Sequence, residues 1–454
     1  MNSPFPFDSL LVFGFLSVLL LSGTLIRAKS AFVQHYLFPS CLIGGVIGSL
    51  LVNTDLVRIG STQLETFAYH LFNLSFISIG LTRDTRTPQS GVGKGNIFKG
   101  SLYMALTQGI TFPLQAIIGG LTVLVFGFFG TDLFATFGFL APLGFNEGPG
   151  QALSFGKVWE GVGFEHAVTI GLTFAAVGFI FAFFIGVPLA NWGLRKGLAA
   201  GGQRSLPREF LKGLRPQNSE AESAGQLNLH SSNIDSMAFQ TAVVGLVYLL
   251  TYFAVDGLGK LAGGDVSKML WGFFFFFGLG ISILVRSLMD RLNVGYLLDP
   301  GVQKRITGWS VDYLIVATIP AIQLAVVWKY ILPIAVISII NGILTLLVVV
   351  YLGRRLLSEN LERIVSIFGT VTGTASCGLL LLRIVDPEFK TSAVIELALM
   401  NLLVLPILFP CMMLVNAPLW WNWSLGVTLL AFAGIAVISF ILMKVFKVID
   451  QPKF

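Results

Sequence analysis

Long apolar runs alternate with short polar connections along almost the whole chain. The runs lie at 10–26, 36–52, 67–81, 100–129 and 165–192, and after a polar stretch at 237–255, 269–288, 306–328, 330–352, 391–419 and 425–445. Most approach the roughly 20 residues an α-helix needs to cross about 30 Å of hydrocarbon. Helices satisfy their own backbone polar groups in that medium, so the pattern predicts an all-α integral membrane protein with about eleven transmembrane helices. The first run has no basic segment before it and no small-residue cleavage pattern after it, and reads as a span rather than a signal peptide. In the fourth run, Pro113 with Gly109, Gly119 and Gly120 predicts a kink or a break.

Two glycine-punctuated polar tracts interrupt this pattern. The first is GFNEGPGQA, beginning at Gly144, and the second is GTVTGTASCG, beginning at Gly369. One shift of 225 residues (369 minus 144) lays Gly144 on Gly369 and Gly148 on Gly373, and also Phe164 on Phe389, Ile170 on Ile395 and Leu172 on Leu397. Polar backbone at membrane depth must be buried in protein or line a watery cavity. A duplicated broken segment is the sequence pointer to a transporter's binding site. The tracts therefore predict two re-entrant loops, at about 132–160 and 360–386, each inside one repeat: 1–197 and 237–420. Between the repeats, 198–236 is rich in Gly, Ser, Gln and Asn and reads as a mobile cytoplasmic linker. Residues 421–454 carry an additional helix.

Composition agrees with a membrane chain, at 55% hydrophobic and only 11% charged. The net charge of +6 does not indicate nucleic acid, because the basic residues fall in connections between spans. Most of the 29 Lys and Arg sit on one alternating set of connections. That set includes Arg27 and Lys29, Arg83 and Arg86, Arg195 to Arg215, Arg286 to Arg305, Arg354, Arg355 and Arg363, and Lys444 to Lys453. By the positive-inside rule the amino terminus is outside and the carboxyl terminus cytoplasmic. Each half then has five spans, an odd number, so the second copy starts on the opposite face and the repeats are inverted. The two loops enter from opposite sides and can meet near mid-membrane. Three scattered cysteines with no histidine at ligand spacing exclude a disulfide framework and a zinc site. No nucleophile, metal or dinucleotide motif stands in a supporting context, so the chain does not read as an enzyme and no organic cofactor is expected.

Broken helices leave unpaired N–H groups that suit a carboxylate and carbonyls that suit Na⁺. Candidate binding residues in the first tract are Gly144, Asn146, Glu147, Gly148, Gly150, Gln151 and Ser154. In the second they are Gly369, Thr370, Thr372, Gly373, Thr374 and Ser376, with Arg383 closing the tract. Asn146, Glu147, Thr372 and Thr374 form a candidate Na⁺ site. The competing reading is that the glycines only allow close helix packing. Glu147 is an ionisable group at membrane depth, a functional hypothesis by default. It could instead reach external water and pair with Lys157. Arg383 could clamp a carboxylate or pair with Asp386. Glu396 and Asn401 lie in the tenth span, with Glu396 readable as a helix-interface carboxylate. Asn73, Ser75 and Ser78 in the third span and Asp312, Thr318 and Gln323 in the eighth are a further pair of polar strips, equally readable as helix glue.

At these residues the chain resembles the bacterial sodium/glutamate symporter family, related to the 2-hydroxycarboxylate transporters. The resemblance runs from about residue 30 to 420 and is best at FPSCLIGG from Phe38, FISIGL from Phe76, GPGQA from Gly148 and GKVWE from Gly156. It implies two inverted five-helix domains, re-entrant loops at the substrate site, Na⁺ coupling and a homodimer working by an elevator-like motion. Family members usually carry a Gly-Gly-His-Gly type sequence where this chain has Gly144 to Gly148, and the eleventh span is additional to the usual ten. An added carboxylate, Glu147, disfavours an anionic substrate unless Na⁺ or a proton neutralises it. The expectation is a secondary transporter of the bacterial inner membrane, a Na⁺-coupled symporter of glutamate or a related small anionic or zwitterionic solute. The alternatives are an H⁺-coupled carboxylate transporter and an ion channel or passive facilitator with paired pore loops.

Overall fold

The computed structural model describes residues 7–82, 94–200, 208–214, 223–226, 228–230, 233–356, 358–387 and 390–453, and among these it contains helices and turns but no strand. Arg83, Arg86, Arg204, Arg215 and Phe389, invoked above, lie outside the described residues. The chain begins with α1 (Asp8–Lys29), α2 (Ala31–His35), α3 (Ser40–Asn53), α4 (Ser61–Leu81) and the long α5 (Lys94–Phe128). The first glycine tract folds as α6 (Leu140–Phe145), a break and α7 (Pro149–Glu160), and leads into α8 (Ala167–Arg195). Then come α9 (Arg208–Lys212), α10 (Ser236–Ala262), α11 (Gly264–Leu270), α12 (Phe274–Arg291), α13 (Pro300–Thr318), α14 (Leu324–Lys329) and α15 (Ile331–Gly353). The second tract is α16 (Asn360–Thr372), a break and α17 (Ala375–Val385). The chain ends with α18 (Ala393–Leu403), α19 (Leu405–Leu414), α20 (Ala417–Trp420) and α21 (Leu425–Val445).

Among the described residues, seven helices are long and apolar enough to cross a membrane, and the α18–α19 pair, bent by 50°, makes an eighth. The other expected spans are helices too, but α3 has only 14 residues, α4 carries Glu65 and His70, and α13 carries Lys304, Arg305 and Asp312. The tenth span bends where Pro406 removes a backbone donor at the start of α19. The eighth is shorter than expected: α13 stops at Thr318, just before Pro320, and residues 324–329 form the separate α14. Asn53 of α3 holds that corner, donating to the Ile322 carbonyl (3.0 Å) and accepting from the Leu324 N–H (2.9 Å).

The expected break at Pro113 does not occur, and α5 runs through it. A proline in mid-helix orphans the carbonyl four residues earlier, here that of Gly109. Ser439 of α21 donates its hydroxyl to that carbonyl at 3.3 Å. The last helix, packed along α5, thus supplies the bond that the proline removes.

Packing sorts the helices into two bundles. One joins α1, α3, α4, α10, α12 and α13; the other joins α5 to α8 with α15 to α19 and α21. Three helices from each half of the sequence build the first bundle, and both glycine tracts fall in the second. Within it, α8 packs against all four arms, α6, α7, α16 and α17. The bundles meet mainly along α7, which touches α4, α11, α13 and the turn at Trp271–Phe273.

Candidate functional site

Both tracts are helix–break–helix hairpins. At the first break Gly148 has φ +87°, a left-handed conformation that a Cβ strains, and Pro149 opens α7 with its ring pre-set for a first turn. At the second, α16 ends at Gly373 and Thr374 caps α17 by accepting from the Cys377 N–H at 3.5 Å. The two breaks touch: a Cβ placed on Gly148 would lie 2.9 Å from the Thr374 methyl and 3.2 Å from the Gly373 carbonyl oxygen. The amino-terminal ends of α7 and α17 therefore face each other there, as do the carboxyl-terminal ends of α6 and α16. One spot gains amide dipoles for an anion and free carbonyls for a cation.

The structure divides the candidate residues. Gly148, Gly373 and Thr374 are brought together at the breaks. Gly144 instead lies in α6 against the α8 backbone at Gly171 and Ala175, Gly150 against the Phe72 ring, and Gly369 against Cys377 and Gly378 of its own hairpin. These three serve close packing, because the missing Cβ is what lets the helices approach. Asn146 and Glu147 turn towards α5: Asn146 Nδ2 donates to Thr111 Oγ1 at 3.1 Å, and Gln108 Nε2 donates to Glu147 Oε1 at 2.8 Å. Gln151 and Ser154 are buried along α7, with Oε1 and Oγ unpartnered. Thr370 and Thr372 bond back to their own helix, at the Ser366 and Phe368 carbonyls. Ser376 is exposed on the first turn of α17, because the cap turns that turn outward, and it does not join the buried set.

Lys157 is not the partner of Glu147. It pairs with Glu65 of α4 at 2.8 Å and with Glu160 at 3.3 Å, about two and a half helical turns beyond the break. Asp386 accepts from the Lys390 and Thr391 N–H groups and the Thr391 hydroxyl, while the Arg383 guanidinium lies 5.3 Å from the Phe210 ring centre. Arg363, counted above with the loop cations, is buried in α16. It grips Glu396 with two hydrogen bonds at 2.7 and 2.5 Å, and Ser392 donates to the same carboxylate at 2.7 Å. Its helix starts earlier than the apolar pattern implied, which draws it inward.

Sequence reasoning missed the residues that surround the breaks. Thr107, Thr111 and Gln115, with Gln108, form one buried polar face of α5, and Ser338, Asn341 and Thr345 form another on α15. Gln115 Nε2 donates to Thr345 Oγ1 (3.0 Å) and to the Val371 carbonyl (3.1 Å), tying both helices to the second hairpin. The signal was present as spacings of three and four residues inside apolar runs.

Two cavities flank the hairpins. One of about 490 Å³ is lined by Glu65, His70, Ser154, Lys157, Lys268 and Trp271, and so by the second arm of the first hairpin. The other, about 560 Å³, is lined by Arg27, Cys41, Asp312, Leu380 and Arg383, and so by the second arm of the second hairpin. Residues 208–214 of the expected linker are seated: α9 packs on α1 and α2, and Phe210 and Lys212 line this second cavity.

A helical membrane chain whose paired broken hairpins touch at their breaks and each line a cavity has the build of a multi-pass transporter. It belongs to the sodium/glutamate symporter family, whose model matches residues 6–379. That match ends within α17, so α18 to α21 lie beyond it. No curated relative matches the chain.

Proposed function

We propose that this protein is a Na⁺-coupled symporter of glutamate or a closely related small amino acid or carboxylate, binding its solute where Gly148 meets Gly373 and Thr374. The observation that carries the reading is that contact itself: two helix breaks, far apart in the chain, share one spot, and the second arm of each hairpin lines a cavity. The solute's carboxylate would take the amide ends of α7 and α17, and Na⁺ the carbonyl ends of α6 and α16 with Asn146 and Glu147 nearby. Neutralising Glu147 with a cation would remove its repulsion for an anionic solute, which couples the two bindings. Arg383, at the wall of the second cavity, would receive the carboxylate as it leaves.

With eleven spans in two inverted repeats, the amino terminus outside and the carboxyl terminus in the cytoplasm, the two cavities would open to opposite sides of the bacterial inner membrane. The bundle that carries both hairpins would then slide against the other, in a homodimer held by the fixed bundle. Uptake of radiolabelled L-glutamate into proteoliposomes, with and without an inward Na⁺ gradient, tests the whole reading. Gradient-dependent accumulation is expected. Flux that only equilibrates would indicate a facilitator, and accumulation driven by a proton gradient alone would indicate H⁺ coupling.

A further inference from the structure

The Gln115 contact carries more than a packing bond. Its nitrogen is doubly engaged, by Thr345 and by the Val371 carbonyl, while its own oxygen is buried with no partner. One turn away on the same face of α15, Asn341 is fully buried with both amide atoms unpartnered, and Ser338 Oγ is likewise idle. A buried polar atom left unsatisfied keeps the full penalty of its lost hydration, so a cluster of them on facing helices calls for an occupant. The chemistry of that occupant is set by what points inward. Val371 belongs to the last turn of the 13-residue α16, whose carbonyls lose their helical partners at the Gly373 break and carry the negative end of the helix dipole. A half-turn of the Gln115 carboxamide would replace its nitrogen by oxygen and set three oxygens around one point.

We propose that Gln115, Thr345 and the Val371 carbonyl, with Asn341 one turn away, form a second site for a monovalent cation of Na⁺ size, distinct from Glu147. The donors named are all neutral oxygens. Divalent cations favour carboxylates, whereas freed carbonyls and half-helix carboxyl ends suit Na⁺. The site bridges α5 and α15 to the last turn before the second break, so filling it would fix the hairpin tip that meets Gly148. This inference rests on the Na⁺-coupled reading above, and its test is built to separate the two.

Purified full-length protein in detergent is titrated with NaCl against choline chloride, and thermal stabilisation is recorded without solute. Wild type is expected to be stabilised, and Glu147→Gln to keep a stabilisation of its own. Thr345→Val is expected to raise the half-saturating Na⁺ concentration at least tenfold. Gln115→Glu adds a charged oxygen at the same place and is expected to lower that concentration severalfold, an effect no loss of folding can produce. If both variants elute as single species yet titrate within twofold of wild type, the second site is overturned while Na⁺ binding stands. If wild type itself is indifferent to Na⁺, the coupled reading and this inference both fall.

Discussion

Glu147 sits one residue before the left-handed Gly148, and its carboxylate accepts a hydrogen bond from the Gln108 amide at 2.8 Å. A neutral amide donor leaves room for a cation to coordinate the carboxylate. Glu147→Gln is therefore expected to abolish uptake or to free it from the Na⁺ gradient, and full wild-type uptake with unchanged Na⁺ dependence would refute that role. Gly148→Ala meets two obstacles, the positive φ and the crowding against Thr374 and Gly373. It should leave a folded, membrane-inserted protein whose uptake falls at least tenfold. Wild-type rates in the alanine variant would mean that the breaks do not need to touch. The sequence revealed Glu147 and Gly148 because charge and glycine stand out among apolar residues. Their partners were hidden: Gln108 lies 39 positions earlier, inside a run that reads as ordinary span, and only packing tells which face of it looks inward.

Among the helices, α16 and α18 are joined by the buried Arg363–Glu396 pair, with Ser392 and Glu359 completing the ring. Removing one partner of such a pair leaves a charge stranded and costs about 3–5 kcal/mol, whereas apolar replacement of both is often close to neutral. Arg363→Met should thus lower the melting temperature in detergent sharply, and adding Glu396→Met should recover much of the loss. Equal melting temperatures for the single variant and wild type would sink the argument. This pair was half legible. Glu396 was visible in the sequence as a helix-interface carboxylate, but the boundary of α16 was not, since Asn360–Thr372 is short and bears charges that resemble a loop. The same limit applies to Pro113. A proline in a long run announces a break, and only the position of Ser439, contributed from α21, shows why the helix continues.

At the scale of the whole molecule, a register shift of 225 residues was readable in the sequence, but the bundles were not. They are not the two halves of the chain; each draws helices from both, an arrangement that follows from how faces pair rather than from order along the sequence. Where the bundles meet, Glu65 of α4 reaches Lys157 of α7. Most of the Lys157 side chain is in solvent, 53% exposed, so this contact is worth at most about 1 kcal/mol and can be broken and remade. Replacing both by cysteine and oxidising is expected to halt uptake, with a reducing agent restoring it. Undiminished transport by the cross-linked protein would show that α4 and α7 do not move past one another.

The chain passes between the bundles only three times, after α4, after α8 and after α13. The last passage is held at both levels: Asn53 pins its corner, and the six-residue α14 takes up half of residues 319–330. A leash of fixed length sets how far a carriage can travel. Unwinding α14 would pay out roughly 11 Å more, from about 1.5 Å per helical residue to about 3.4 Å extended. For the sliding proposed above, the length of this strap would set the limit of travel.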